Sequence, residues 1–234
     1  MKLLRPEVFE LNPRAQIEIK QIGKGGHNVV LIENLFLYAN DIATLFDEMV
    51  FTSDEAIRAN SPCFRAILPQ VSYLKPLHRK IFELHYTKYG IKEMNLYQNK
   101  VMLDQYWDGS NIIDQSSYHP HTDDLNKTNY AIVIFMNRRN IHGGTQFVKV
   151  RHDGRWIENI TQDNEDARIR NDEDINSPDP AKPWDYDGIR YKRYHLEPMK
   201  FNKLISYRTN VIHSPYTDGS FYRNTPRKII TSTF

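Results

Sequence analysis

Near the start of the chain Ile17 and Ile19 alternate with polar neighbours, as on a strand with one buried face. Lys24-Gly25-Gly26 breaks that run, and Val29 to Ile32 follows as a β-branched stretch of the kind that fills a buried strand. The period then changes. Ile42, Leu45, Phe46 and Met49 fall at i, i+3, i+4 and i+7 on one helical face, with Asn40 or Asp41 in place to cap the free amides. A second helix is predicted from Leu74 to Tyr89, with Pro76 in its first turn, Leu77, Ile81 and Leu84 as its apolar stripe and Gly90 as a left-handed cap.

Beyond residue 90 the texture is that of short strands. Lys100 to Tyr106, Tyr130 to Met136, Gln146 to Val150, Trp156 to Ile160, Arg190 to Leu196, Leu204 to Tyr207 and Lys228 to Phe234 are rich in β-branched and aromatic residues and separated by turn residues. Asp153-Gly154 reads as the turn of a hairpin. Helices first and strands afterwards predict an α+β chain whose main body is a sandwich or barrel. Residues 163–187 interrupt the pattern with nine acidic against three basic residues and three prolines, which reads as an exposed insertion, either a solvated loop or a lid over a site. With no domain linker or repeat, 1–234 reads as a single domain in which 1–90 supports a core over 91–234.

Composition narrows the picture only modestly. Of 234 residues, 40% are hydrophobic and 26% charged, as in soluble globular proteins. The formal charge of +2 leaves no overall footprint for nucleic acid or an anionic membrane, although the basic run from Arg190 to Lys203 keeps a local groove open. No window approaches a membrane span, the first residues lack the apolar core of a signal peptide, and the single cysteine, Cys63, suits a reducing compartment; a cytoplasmic protein is expected.

The densest chemical signal is Tyr118-His119-Pro120-His121-Thr122-Asp123-Asp124. In an extended chain i and i+2 face the same way, so His121 and Asp123 can point at one ion, with His119 on the same side. Such a pair suits a first-row transition metal once a third ligand arrives from elsewhere. His119-x-His121-x-Asp123 resembles the zinc motif of metallo-β-lactamase-like hydrolases, but Asp124 stands where that motif has a histidine. Only 21 residues follow His213, too few for that fold's downstream ligands.

A second resemblance covers more of the chain. His121-Thr122-Asp123 precedes the apolar run Tyr130 to Asn137, then Gly143-Gly144-Thr145-Gln146-Phe147, Asn202 to Tyr207, His213-Ser214-Pro215 and Arg227-Lys228-Ile229-Ile230-Thr231. In this order, over about Leu103 to Phe234, the chain resembles the Fe(II)/2-oxoglutarate-dependent oxygenases, above all their prolyl-hydroxylase-like branch. The resemblance implies a distorted double-stranded β-helix, jelly-roll or cupin-like, with supporting N-terminal helices. It implies Fe(II) held by His121, Asp123 and His213, with 2-oxoglutarate and O2 as cosubstrates and ascorbate as an accessory reductant. Arg227 would pair with the distal carboxylate of 2-oxoglutarate, and Arg223 is the alternative. Tyr106, in a Tyr-x-x-Gly strand end, would donate its phenol to the same carboxylate or else pack in the core.

The activity so implied is hydroxylation of a C–H bond coupled to decarboxylation of 2-oxoglutarate to succinate and CO2, on a peptide or protein side chain or a small metabolite. The competing readings are a non-catalytic jelly-roll binding module and a zinc hydrolase using His119, His121 and Asp123. Thr145 and Phe147 are expected to line a wall. His119 is read as a neighbour of the metal, His142 as a solvated loop residue, Cys63 as core, and His78, His85 and His195 as scattered residues without partners.

Overall fold

The computed structural model describes residues 5–52, 63–68, 71–86, 102–106, 120–125, 129–139, 141–161, 191–216, 222 and 224–233. A hairpin of β1 (Gln16–Ile22) and β2 (His27–Glu33) leads to α1 (Ala39–Glu48), β3 (Phe64–Ile67) and α2 (Lys75–Tyr86). Strands follow: β4 (Met102–Tyr106), β5 (Tyr130–Phe135), β6 (Gly144–His152), β7 (Arg155–Ile157), β8 (Tyr191–Pro198), β9 (Lys203–Arg208), β10 (His213–Tyr216) and β11 (Arg227–Thr233).

These strands build two antiparallel sheets. Seven lie in the order β1-β2-β9-β5-β11-β4-β3; in the other, β6 pairs with β10, β7 and β8. His121 joins the outer side of β10 through a bridge to His213. The chain therefore alternates between sheets, β5 and β6, then β8 and β9, then β10 and β11 each crossing from one to the other. Two facing antiparallel sheets backed by two helices agree with the expected α+β sandwich of the cupin-like kind.

The alternation of side chains across the large sheet creates two cores. Val30, Ile32, Ile132, Ile134, Leu204 and Ile230 face Ile42, Leu45 and Phe46 of α1 and Leu77 and Ile81 of α2. Val29, Leu31, Val133, Phe135, Ile205 and Ile229 face the small sheet and Phe147. β5 is buried on both faces, so it reads as an unbroken apolar run. Each fully buried aliphatic chain contributes about 1.5–3 kcal/mol from burial.

A polar seam joins the sheets beside β8. Glu197, 2% exposed, accepts from Lys203, which is itself 5% exposed, and lies 3.5 Å from Lys20 and 3.3 Å from His195. Burial pushes the Glu197 carboxyl up, but Lys203, Lys20 and His195 outweigh it and hold the group below the ordinary carboxylate range.

Several expectations need correction. Neither Asn40 nor Asp41 caps α1: Tyr38 occupies the cap position without a side-chain bond, and both residues lie inside the first turn. The helix starts earlier because Ala39 is already buried against the core. Ile17 and Ile19 keep the predicted alternation, yet both are exposed, because β1 is the sheet edge and the helices do not reach over it. Strand β3 escaped the pattern, being four residues long with an arginine inside. The run from Trp156 leaves strand geometry after Ile157, and its Asn159 bridges to Val211. The Asp153-Gly154 turn forms as predicted, both residues having positive φ, 44° and 76°. Gly90 and the 163–187 insertion lie outside the described residues.

Candidate metal centre

The two side chains of the His-x-Asp segment meet a third from β10 on the inner face of the small sheet. The donor atoms of His121, Asp123 and His213 lie within 4.8 Å of one another. His121 Nε2 is 3.8 Å from Asp123 Oδ1, and His213 Nε2 is 3.5 Å from Asp123 Oδ2. Ligands about 2.1 Å from an ion and at right angles stand about 3 Å apart, so these two edges need contract by less than about 1 Å. Two imidazoles and one carboxylate are a donor set that suits Fe(II) and leaves coordination positions open.

Backbone hydrogen bonds place the cluster. His121 N–H donates to the His213 carbonyl at 2.9 Å and His213 N–H returns the bond at 3.0 Å, so the two residues face each other across the ladder. Asp123 N–H donates to the Thr209 carbonyl at 2.9 Å. The β9–β10 turn also fixes the tautomer of His213, whose Nδ1 lies 2.9 Å from the Val211 carbonyl. A carbonyl only accepts, so Nδ1 carries the proton and Nε2 keeps its lone pair toward Asp123. Burial pushes the His213 imidazole down to about 4, with His121 adding to the effect and Asp123 and the Val211 carbonyl opposing it. The ring is thus neutral and able to ligate at neutral pH.

Aromatic packing supports the buried side of the cluster. Tyr207 lies 4.6 Å from the His213 ring, centroid to centroid, and Phe147 meets Tyr207 edge-on at 5.1 Å. The other side is open: the His121 side chain is 46% exposed and Asp123 27%, against 6% for His213.

Arg227 begins β11 and is 2% exposed. It lies on the same face as Ile229, between the two sheets, with its guanidinium 5.5 Å from the centre of the Phe135 ring and one nitrogen donating to the Gly144 carbonyl at 3.3 Å. Gly144 lies three residues along β6 from Phe147, the register partner of His213, a separation of about 10 Å. The structure thus brings Arg227 into the inter-sheet space near the cluster. Tyr106 is the register partner of Arg227 on β4, although its side chain lies outside the described residues. Arg223 and His119 also lie outside them.

His78, His85 and His195 are not scattered residues without partners. His78 and His85, on α2, meet Ser232 at 3.2 Å and Ser206 at 3.1 Å, and His195 meets Glu197. Cys63 is buried in the inter-sheet core. The carbonyls of Thr209 and Val211 escaped sequence reading altogether, since a backbone acceptor has no residue signature. No motif marks the contact of Tyr207 with His213.

No curated protein matches the chain. Among solved structures it is similar to the crystal structure of the non-heme alpha ketoglutarate dependent epimerase SnoN from nogalamycin biosynthesis, with a TM-score of 0.46 and 13% identity over 88% of this chain and 77% of that one. A family model described as a family of unknown function, DUF6445, matches residues 13–226. The chain, matched over most of its length, belongs to that family.

Proposed function

We propose that the protein is an Fe(II)- and 2-oxoglutarate-dependent oxygenase built on a double-stranded β-helix. The observation that carries this reading is the His121–Asp123–His213 face, with a buried arginine three residues along β6 from the level of His213. The alternation of strands between the sheets, which puts the HxD segment and the distal histidine side by side, supports the architecture.

His121 Nε2, Asp123 and His213 Nε2 would hold the iron, which together with 2-oxoglutarate and O2 supplies C–H oxidation coupled to formation of succinate and CO2. Val211 holds the His213 ring in its ligating tautomer, and Thr209 fixes the backbone of Asp123. Arg227 presents a planar fork suited to a bidentate pair with a carboxylate, and its burial between the sheets strengthens that pair. Phe147 and Tyr207 exclude water from the inner side of His213.

Anaerobic calorimetry with Fe(II) and then 2-oxoglutarate, followed by succinate measurement in air, tests the reading. Ordered binding with slow succinate release is expected. Iron binding that survives His213→Ala, or absence of any 2-oxoglutarate binding, overturns it.

A further inference from the structure

The inner face of β6 continues past the candidate metal centre. Thr145, Phe147, Lys149 and Arg151 alternate onto that face, and Phe147 is the register partner of His213. Lys149 therefore lies about 7 Å beyond the His213 level and Arg151 about 13 Å beyond it, on the side away from Gly144 and Arg227.

The neighbouring strands add to the same face. Arg151 is paired with Trp156 of β7, and the Lys149 ammonium lies 5.6 Å from the centre of the Trp156 ring. On β8 the register shifts between Phe147 and Val148: His195 opposes Phe147, Arg193 opposes Val148, and Tyr194 is the extra residue. That bulge reverses the alternation beyond it, turning Lys192 inward opposite Lys149 and sending Arg193 to the other face, where it lies 5.0 Å from the Tyr216 ring. Bulges commonly re-aim a side chain beside a site.

Two lysines directly opposed across a ladder repel and cost stability. Among the described residues no carboxylate pairs with Lys149, Arg151 or Lys192. Of the described acids nearby, Glu158 accepts from the Lys24 and Gly25 amides, both at 3.0 Å, and Asp153 meets His152 at 3.5 Å. Arg151, Lys192 and Trp156 are exposed. Two lysines, an arginine and a tryptophan thus form a shelf with no carboxylate partner among the described residues, on the face that carries His213.

We propose that this shelf holds an anionic group of the primary substrate, a carboxylate or a phosphate, while the carbon to be oxidised lies against His121, Asp123 and His213. The assignment rests on the oxygenase reading. It separates the two ligands along β6, the cosubstrate carboxylate toward Gly144 and the substrate anion toward Arg151. The arginine supplies a fork for the oxyanion, the lysine pair the charge, and Trp156 an apolar surface for the adjoining part of the molecule.

The test titrates the metal-free full chain with inorganic pyrophosphate and with a tri-glutamate peptide, read by calorimetry and by Trp156 fluorescence against a Trp156→Phe control. At least one probe is expected to bind, with about tenfold weaker affinity in Arg151→Gln and Lys192→Gln and no change in Arg79→Gln, an exposed cation on α2. Binding of pyrophosphate alone assigns a phosphate, and of the peptide alone a carboxylate. Absence of binding by both, or an equal loss in Arg79→Gln, overturns the proposal. Parallel titration of Mn(II)-loaded protein with 2-oxoglutarate separates the failures. If 2-oxoglutarate binds and neither probe does, the shelf assignment alone falls. If the probes bind and 2-oxoglutarate does not, the oxygenase reading falls and the substrate role with it.

Discussion

Asp123 stands between two imidazoles, 3.5 Å from His213 and 3.8 Å from His121, and this position makes its carboxylate the pivot of the cluster. Removing it leaves two imidazole donors and no carboxylate to hold a divalent ion. Asp123→Ala and His213→Ala are each expected to weaken Fe(II) or Co(II) binding by about 100-fold or more, as read by calorimetry, with the melting temperature of the metal-free protein nearly unchanged for Asp123→Ala. Arg227 acts on the other ligand. Arg227→Ala is expected to raise the 2-oxoglutarate Kd at least about tenfold while metal affinity holds; a loss confined to Arg223→Ala would transfer the anchor to that residue. The His121 and Asp123 pair was legible in the sequence, because His-x-Asp places two donors on one side of an extended chain, whereas His213 and Arg227 were implied only by the resemblance in motif order. The Val211 and Thr209 carbonyls that orient the cluster were not legible, because any residue can supply a carbonyl.

At the junction of strands and helix, Asn202 does what no periodicity predicts. It holds φ at 59°, and its side chain accepts from the Phe36 amide at 2.9 Å and donates to the Phe36 carbonyl at 3.0 Å, tying the start of β9 to the segment that enters α1. Asn202→Ala removes two buried hydrogen bonds and leaves in left-handed backbone a residue without the side-chain amide that lets asparagine tolerate it. A loss of about 2–4 kcal/mol is expected in urea denaturation. Among the elements themselves, β5 was legible as an unbroken apolar run and the Asp153-Gly154 hairpin by its turn residues. The start of α1 is not legible in the sequence, since Asn40 and Asp41 carry capping chemistry while Ala39, inside the helix, is already buried. β3 was missed because four residues give too few periods to detect.

Between the layers, polar groups are buried in pairs whose partners come from different elements. Lys203 and Glu197 meet across the inter-sheet seam; Lys203→Met leaves a buried carboxylate only partly compensated by Lys20 and His195, and a loss of up to about 3–5 kcal/mol is expected, largely recovered in Lys203→Met/Glu197→Leu. His78 and His85 pin α2 to the large sheet through Ser232 and Ser206, both register partners of Ile132. Burial pushes His78 down to about 4 and His85 to about 3, with Arg208 adding to the latter. The unfolded histidines titrate near 6.5, so above that pH neither state gains a proton and these residues leave stability independent of pH. As pH falls below 6.5 the unfolded chain takes up protons that the folded one refuses, and stability drops until the folded pKa values are reached. Urea midpoints are therefore expected to fall steeply between about pH 6.5 and 4, and His78→Gln/His85→Gln is expected to flatten that slope. Steepness unchanged in the double variant would assign the effect to other groups.

The apolar periods, the turn residues and the His121-x-Asp123 pair were enough to read a strand-rich α+β chain with the beginning of a metal face, because these are local chemical properties carried along one dimension; His213 and Arg227 entered only through the resemblance in motif order. Which histidines are neutral anchors, which carbonyl sets a tautomer, and which lysines oppose each other depend on register between strands. A single extra residue, Tyr194 in β8, moves Lys192 from one face of the sheet to the other. Pairing energy between segments more than forty residues apart sets that register, and no local pattern in either segment records it.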